Sequence, residues 1–313
     1  MVFRARIVLP LTGCAGKMRR MNDLGPAIGN ARIDAYWRLM RFDRPIGILL
    51  LLWPTLWALW LAADGLPSLQ NLVIFITGVV VMRAAGCVAN DLADKDFDPH
   101  VERTRGRPLA SGALAPREAK VLLAGLLLAA FGLVLLTNPL TIRLSIVGAI
   151  LALSYPFFKR FVDVPQVVLG IAFGWSIPMA FAAELGEVPG VAWALLLINV
   201  FYAVIYDTFY AMVDREDDLA IGVRSTAILF GQRDLWIIGL LQITMMVLCL
   251  ALGWQQGWHW PWYLATAVAG ALFIHQLQMA RTRDRDACFR AFLNNNWVGV
   301  ALFLGIVGET LVS

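Results

Sequence analysis

Charge is scarce in this chain. Asp, Glu, Lys and Arg make up 15% of its 313 residues, against roughly 25% in an ordinary soluble domain. With 59% hydrophobic residues and a mean hydropathy of +0.69, that shortfall excludes a soluble globular enzyme and points to a polytopic membrane protein. Cysteine is scarce too. Cys14, Cys87, Cys249 and Cys288 show no metal-ligand spacing and two lie in apolar runs, which leaves them as small core residues with no disulfide framework. No soluble head stands apart from the apolar runs, so residues 33–313 are expected to form one membrane domain. A net charge of +4 and a pI near 9.0 would suit a nucleic-acid binder in a soluble chain. Here basic cytoplasmic loops account for both. At the N-terminus, Arg4 and Arg6 precede a short apolar stretch from Ile7 to Leu11. It falls short of the roughly 7 residues of a signal-peptide core. Residues 1–32 are therefore expected to be a disordered leader, or a start placed ahead of Met18 or Met21.

What is present is a series of nine apolar runs, near 46–64, 71–90, 119–137, 139–157, 165–184, 191–213, 235–254, 262–280 and 296–312. Each is close to the roughly 20 residues that span a bilayer core. The fold expected is all-α, a bundle of nine transmembrane helices. Gly170, Gly174 and Pro178 lie inside the fifth run, where they either kink it or permit close packing. With the N-terminus cytoplasmic, 25 of the 26 Lys and Arg residues fall on the cytoplasmic side and only Arg143 on the other. That asymmetry sets the orientation. Trp258, Trp260, Trp262 and Tyr263 suit an aromatic belt on the opposite face. Ahead of the first span, residues 33–44 (IDAYWRLMRFDR) read as a short helix lying on the cytoplasmic interface.

Against this apolar background two acidic clusters stand out: Asn90, Asp91, Asp94, Asp96 and Asp98, then Asp214, Glu216, Asp217 and Asp218. Both follow spans that end at the cytoplasmic rim, four helices apart, which suggests an internal repeat. On a helix Asn90, Asp94 and Asp98 would share one face, as would Asp214 and Asp218. Two facing sets of hard oxygen ligands suit Mg²⁺ shared with the oxygens of a diphosphate. A solvated loop capping a helix would explain one such cluster; two at equivalent depth beside basic loops favour the metal. The neighbouring cations fit a polyanion: Arg103, Arg105 and Arg107, then Lys159 and Arg160 after Tyr155, then Arg215 and Arg224. Arg83 and Asp207 lie inside spans, two turns before Asp91 and Asp214. An unpaired charge there is costly, so they either pair with each other or face a substrate cavity.

The string from Asn90 to Asp98 (NDLADKDFD) fits the NDxxDxxxD pattern of the UbiA superfamily of intramembrane prenyltransferases, and DREDD at 214–218 resembles its second DxxxD motif. The strings LLWPTLWALW at 51–60, MRAAGC at 82–87, RPLASG at 107–112, YPFFKR at 155–160, PQVVLGIAFGWSIPMAFAA at 165–183, YDTFYAMVDREDD at 206–218 and STAILFG at 225–231 resemble the bacterial 4-hydroxybenzoate polyprenyltransferase branch of ubiquinone biosynthesis. Glu216 stands where that branch often has Asp. The resemblance implies a multi-pass enzyme of the bacterial inner membrane, working at the cytoplasmic face on a polyprenyl diphosphate and 4-hydroxybenzoate. It implies that Asn90, Asp94, Asp98, Asp214 and Asp218 hold Mg²⁺ and that Asp94 and Asp214 are essential to catalysis. Lys159 and the loop arginines would neutralise the diphosphate, Arg160 would grip the acceptor carboxylate, and Asp91 would polarise the phenol or take the proton.

Other readings fit less well. Secondary transporters also combine many spans with membrane acids, but their sites lie near the midplane rather than at span ends. CDP-alcohol phosphotransferases pair Asp motifs with Mg²⁺, but their DGxxAR signature is missing. Within the superfamily, haem, homogentisate and lipid prenyltransferases share the acidic motifs and differ in the flanking strings.

Overall fold

The computed structural model describes residues 31–96, 98–100, 104–158 and 161–312. Twelve helices follow one another: α1 Ala31–Leu39, α2 Ile46–Ala62, α3 Leu69–Ala93, α4 Pro116–Val134, α5 Pro139–Phe158, α6 Pro165–Gly174, α7 Ser176–Leu185, α8 Gly190–Ile221, α9 Thr226–Phe230, α10 Asp234–Gln256, α11 Trp260–Met279 and α12 Arg285–Val312. There is no strand among the described residues. Each of the nine expected segments falls in a helix or a helix pair. Among the described residues six spans qualify by length and apolar composition to cross a membrane, and α2 is a shorter apolar helix. The chain is therefore an all-helical, multi-pass membrane protein. The proposed leader lies outside the described residues up to position 30.

The local chemistry sets the helix ends. Ser68 caps α3 by accepting the Asn71 N–H at 3.2 Å. Asn138 does the same for α5, taking the Thr141 N–H at 2.9 Å. Two helices run past the apolar runs that mark them. α8 continues from residue 213 to Ile221 and stops at Gly222, whose φ of 72° returns its N–H to the Asp218 carbonyl. α12 begins eleven residues before its apolar run, where Asp284 accepts the Ala287 N–H at 2.8 Å and caps the first turn. The fifth run divides at Trp175, between α6 and α7. Pro178 has no N–H to give the Gly174 carbonyl, and the chain turns there. The interfacial helix is shorter than expected. α1 ends at Leu39, and Arg41 takes a left-handed φ of 60°.

Helices in lipid gain little by hiding apolar faces from equally apolar tails, so close packing at small residues must hold them together. Gly170 shows this on α6: a Cβ there would stand 2.9 Å from the Val200 Cα of α8. At Gly299 on α12 a Cβ would meet Trp53 at 2.5 Å. The Trp57 indole donates to the Gly299 carbonyl at 3.0 Å, and the Tyr202 hydroxyl to the Asn295 carbonyl at 2.7 Å, which fastens α2, α8 and α12 around a core that includes Phe181 and Phe209. On the other side the bundle is looser. α4 packs along α3 and α5 along α6, while α4 and α5 touch each other only sparsely. Between these two halves lies a cavity.

Candidate active site

The cavity has a volume of about 1970 Å³ and is lined by both acidic motifs. At its mouth stand Asn90, Asp94 and Asp98 from the first motif and Asp214 and Asp218 from the second. One expectation about the first motif needs correcting. Asn90, Asp94 and Asp98 do not share a helical face, because α3 ends at Ala93. Asp94 closes its last turn, giving its N–H to the Asn90 carbonyl at 2.9 Å while the Asn90 amide donates to Asp94 Oδ2 at 3.1 Å. Asp98 then opens a separate 3-10 turn over Asp98–His100. Pro99 disfavours a helical conformation in the residue before it. The three side chains reach the same cavity all the same. Asp214 and Asp218 do share a helical face, since α8 runs unbroken through both.

The other side chains of the two motifs are tied to the protein. Asp91 is 1% exposed and lies between two guanidiniums. Arg41 Nη2 stands 3.2 Å and Arg107 Nη1 3.1 Å from Asp91 Oδ1. The same Arg107 nitrogen is 2.8 Å from Asp98 Oδ2, so Arg107 couples Asp91 to Asp98. Burial pushes the Asp98 carboxyl above its usual range; Arg107 pulls it back and the charge of Asp91 adds to the rise. In the second motif Arg215 turns to Asp234, which is fully buried and also accepts from Arg283 Nε at 2.9 Å. Arg285 holds Glu216 and Asp217, each at 3.3 Å. With these three outward, the face carrying Asp214 and Asp218 is left to the cavity. Arg224 borders the cavity too and pairs with Asp163 at 2.9 Å.

Deeper in, Arg83, Asp207 and Tyr155 line the wall, joined by Tyr206. Arg83 and Asp207 form no ion pair with each other; of the two arrangements expected, both face the cavity. The Arg83 guanidinium lies against α2 at Gly47, where a Cβ would stand 2.3 Å from its Nε, and its carbon sits 5.7 Å from the centre of the Phe173 ring. Beyond this polar zone the wall is apolar, with Leu127, Ala130 and Phe131 from α4 and Ile146, Ala149 and Ile150 from α5. Phe131, Ile146 and Ile150 are at the same time 45%, 53% and 62% exposed. The apolar wall is therefore least closed between α4 and α5, which touch only sparsely.

Of the other expected substrate contacts, Arg103, Lys159 and Arg160 lie outside the described residues. Arg105 is exposed and does not border the cavity. Arg41 as a partner of Asp91, and Phe173 and Gly47 as the seat of Arg83, had no signal in the sequence, since each contact joins elements far apart in the chain. Among the described residues no three acidic, histidine or cysteine side chains converge closely enough to enclose a cation by themselves.

Comparison with known proteins gives a consistent picture. The family model described as UbiA prenyltransferase family matches residues 51–303. The 4-hydroxybenzoate octaprenyltransferase of Escherichia fergusonii is 58% identical over 275 residues, which is 88% of this chain and 95% of that protein. Its counterpart in Yersinia enterocolitica is 59% identical over 272 residues, 87% of this chain and 94% of that one. Among solved structures, an apo UbiA homolog from Aeropyrum pernix K1 superposes with a TM-score of 0.72 at 24% identity, covering 84% of this chain and 96% of that one. A UbiA homolog from Archaeoglobus fulgidus bound to GPP and Mg²⁺ gives 0.69 at 19% identity, over 88% and 99% of the two chains.

Proposed function

The chain belongs to the UbiA prenyltransferase family, and on that premise we propose that it transfers a polyprenyl group from a polyprenyl diphosphate to 4-hydroxybenzoate, ortho to the hydroxyl, in ubiquinone biosynthesis. The relatives of 58% and 59% identity that carry this activity in their names support the choice of acceptor. The observation that carries the reading is the cavity, which joins two acidic motifs at one end to an apolar chamber at the other. A diphosphate with a long hydrocarbon tail has that same division of polarity.

The donor set at the mouth fits Mg²⁺. It is made of carboxylate and amide oxygens, and among the described residues no three acids form a ready cage. Mg²⁺ favours few protein carboxylates completed by phosphate oxygens and water. Asn90, Asp94, Asp98, Asp214 and Asp218 would hold it, Asp94 and Asp214 indispensably, and when bound it supplies charge stabilisation for the departing diphosphate. The chain's own part is orientation and exclusion. Lys159 and Arg103 neutralise phosphate oxygens in this reading; Arg105, exposed and off the cavity wall, takes no part. The allylic C–O bond breaks, its electron pair leaves with diphosphate, and the ring carbon ortho to the phenol oxygen attacks the allylic carbon and gives up its proton to the released diphosphate. The apolar wall keeps water from the cation, while Tyr155 and Asp207, which line the cavity, face its positive charge. Asp91 is held by two arginines, so in this reading it positions Arg107 and, through it, Asp98. The mouth faces the cytoplasm across the bacterial inner membrane, with nine spans and a cytoplasmic N-terminus, which the distribution of Lys and Arg supports.

Purified protein in nanodiscs should prenylate 4-hydroxybenzoate only with a divalent cation and a polyprenyl diphosphate present. Asp94→Ala and Asp214→Ala should abolish turnover while still inserting and eluting as a monodisperse species. Full turnover in either variant, or turnover without added cation, would remove the metal assignment.

A further inference from the structure

The last turns of α8 carry the second acidic motif beyond the apolar run of that helix, and Glu216, Leu219 and Ala220 are exposed there. Helix ends fray unless tertiary contacts hold them. What holds this one is a buried carboxylate on another helix. Asp234, in the first turn of α10, is 0% exposed and does not border the cavity. Its Oδ2 accepts from Arg215 Nη2, and its Oδ1 accepts from the Leu235 N–H at 2.6 Å and from Arg283 Nε at 2.9 Å. Among the described residues Asp234 is the sole hydrogen-bond partner of Arg215, whose buried Nε has none. Arg283 is itself fixed. It takes a left-handed φ of 57°, uncommon for a residue with a side chain, and gives a second hydrogen bond to the Gln232 carbonyl at 3.0 Å. One carboxylate thus joins α8, α10 and the turn between α11 and α12.

We propose that Asp234 is a positioning residue for the second acidic motif: it fixes the rotation of the end of α8 through Arg215, and so sets how Asp214 and Asp218 meet the metal. The role rests on the proposed function for the presence of that metal, and it adds what holds two of its ligands in place. A buried ion triad is a poor way to gain stability, since apolar side chains of the same volume hold as well or better. Its distinctive product is one allowed geometry. Arg215 follows Asp214 directly on a helix of 3.6 residues per turn, so a grip on Arg215 turns Asp214 and Asp218 together. The pairs of Arg285 with Glu216 and Asp217 lie nearer the surface. Such pairs are weak, which leaves the orientation to Asp234.

Two measurements on purified protein in nanodiscs test the role. One is the Mg²⁺ dependence of prenylation. The other is Mn²⁺ binding, followed by electron paramagnetic resonance with an unreactive thiodiphosphate analogue of the donor. Removing a group that orients metal ligands weakens metal affinity by about 10- to 100-fold, and Asp234 acts at one remove, so Asp234→Asn should raise both the Mg²⁺ requirement and the Mn²⁺ Kd by about tenfold. Turnover at saturating Mg²⁺ should return close to wild type, with the acceptor KM unchanged. Arg215→Gln should show the same metal shift, and Arg215→Lys, which keeps a donor for Asp234, should recover most of it. Arg283→Gln breaks the other half of the same triad. It should lower thermal stability comparably yet leave both metal constants near wild type, a contrast that mere structural support would not produce. If Asp234→Asn does not fold, the arginine variants carry the comparison. Unchanged metal constants in Asp234→Asn or Arg215→Gln, with only stability lost, overturn the proposal, as does an equal metal shift in Arg283→Gln. A wild type that turns over without divalent cation, or binds no Mn²⁺ beside the donor analogue, overturns the metal assignment itself.

Discussion

Asp91 separates a positioning role from a chemical one, because the two predict different losses in Asp91→Ala. The carboxylate is 1% exposed, and its two partners, Arg41 and Arg107, have side chains 18% and 11% exposed. Removing one member of a buried pair costs about 3–5 kcal/mol, since the other charge is left uncompensated. Both arginines keep some access to water and Arg107 keeps Asp98, so the lower end, about 3 kcal/mol, is the expected loss. At roughly 2–4 °C per kcal/mol, the apparent melting midpoint should fall by about 6–12 °C. The assay is thermal challenge in detergent followed by fluorescence-detected size exclusion, with turnover then measured on the monodisperse fraction. That fraction should retain turnover at reduced kcat/KM, because Arg107 has lost one of the two carboxylates that fix it. A variant as stable as wild type yet without turnover would refute this reasoning and return Asp91 to proton transfer.

Three further outcomes follow from the packing and the charges. Ala130→Trp narrows the apolar chamber at α4, and should lower kcat/KM for a long polyprenyl diphosphate far more than for dimethylallyl diphosphate; equal losses would place the tail elsewhere. Gly170→Ala sets a methyl 2.9 Å from backbone and should destabilise by about 1–3 kcal/mol. Gly125→Ala, where a Cβ meets nothing within 4 Å, should be neutral in the same thermal assay. Asp284 is held below the usual carboxylate range, first by the Thr282 hydroxyl and then by the Ala287 N–H. A depressed folded value gives stability that is present above the unfolded value and lost as pH falls through the folded one. The melting gap between wild type and Asp284→Ala, measured at neutral pH, should therefore close as pH drops below about 4.

The helical segments and the two motifs were legible in the sequence because both depend on local patterns: apolar run length, turn residues, and acids where acid is expensive. What escaped is long-range or steric. Asp98 leaves the helical face because α3 already ends at Ala93, an end hidden in the sequence by the regular spacing of Asn90, Asp94 and Asp98. The pairing of Asp91 with Arg41 spans fifty residues and depends on a left-handed Arg41 that nothing in IDAYWRLMRFDR announces. Arg83 was marked as unusual by its place inside a span. That it sits in a cut-out at Gly47, and not on Asp207, follows from how α2, α3 and α6 meet. The outward turn of Arg215, Glu216 and Asp217 is implicit in the 3.6-residue period once α8 is known to continue past residue 213, which its apolar run does not reveal.

The sparse contact between α4 and α5 also decides what concentration means for this protein. A tail that enters there is drawn from the surrounding leaflet, and the prenylated product returns to that same pool without passing through water. The donor is then dilute or concentrated relative to lipid, not to buffer. Added inert phospholipid should slow turnover at fixed bulk donor, and apparent KM values should agree between preparations only when expressed as mole fraction in the bilayer. The acceptor, small and charged, obeys the opposite rule and follows its molarity in the aqueous phase. One active site thus reads two reservoirs of different dimensionality, and the host membrane's composition becomes a kinetic variable of the reaction.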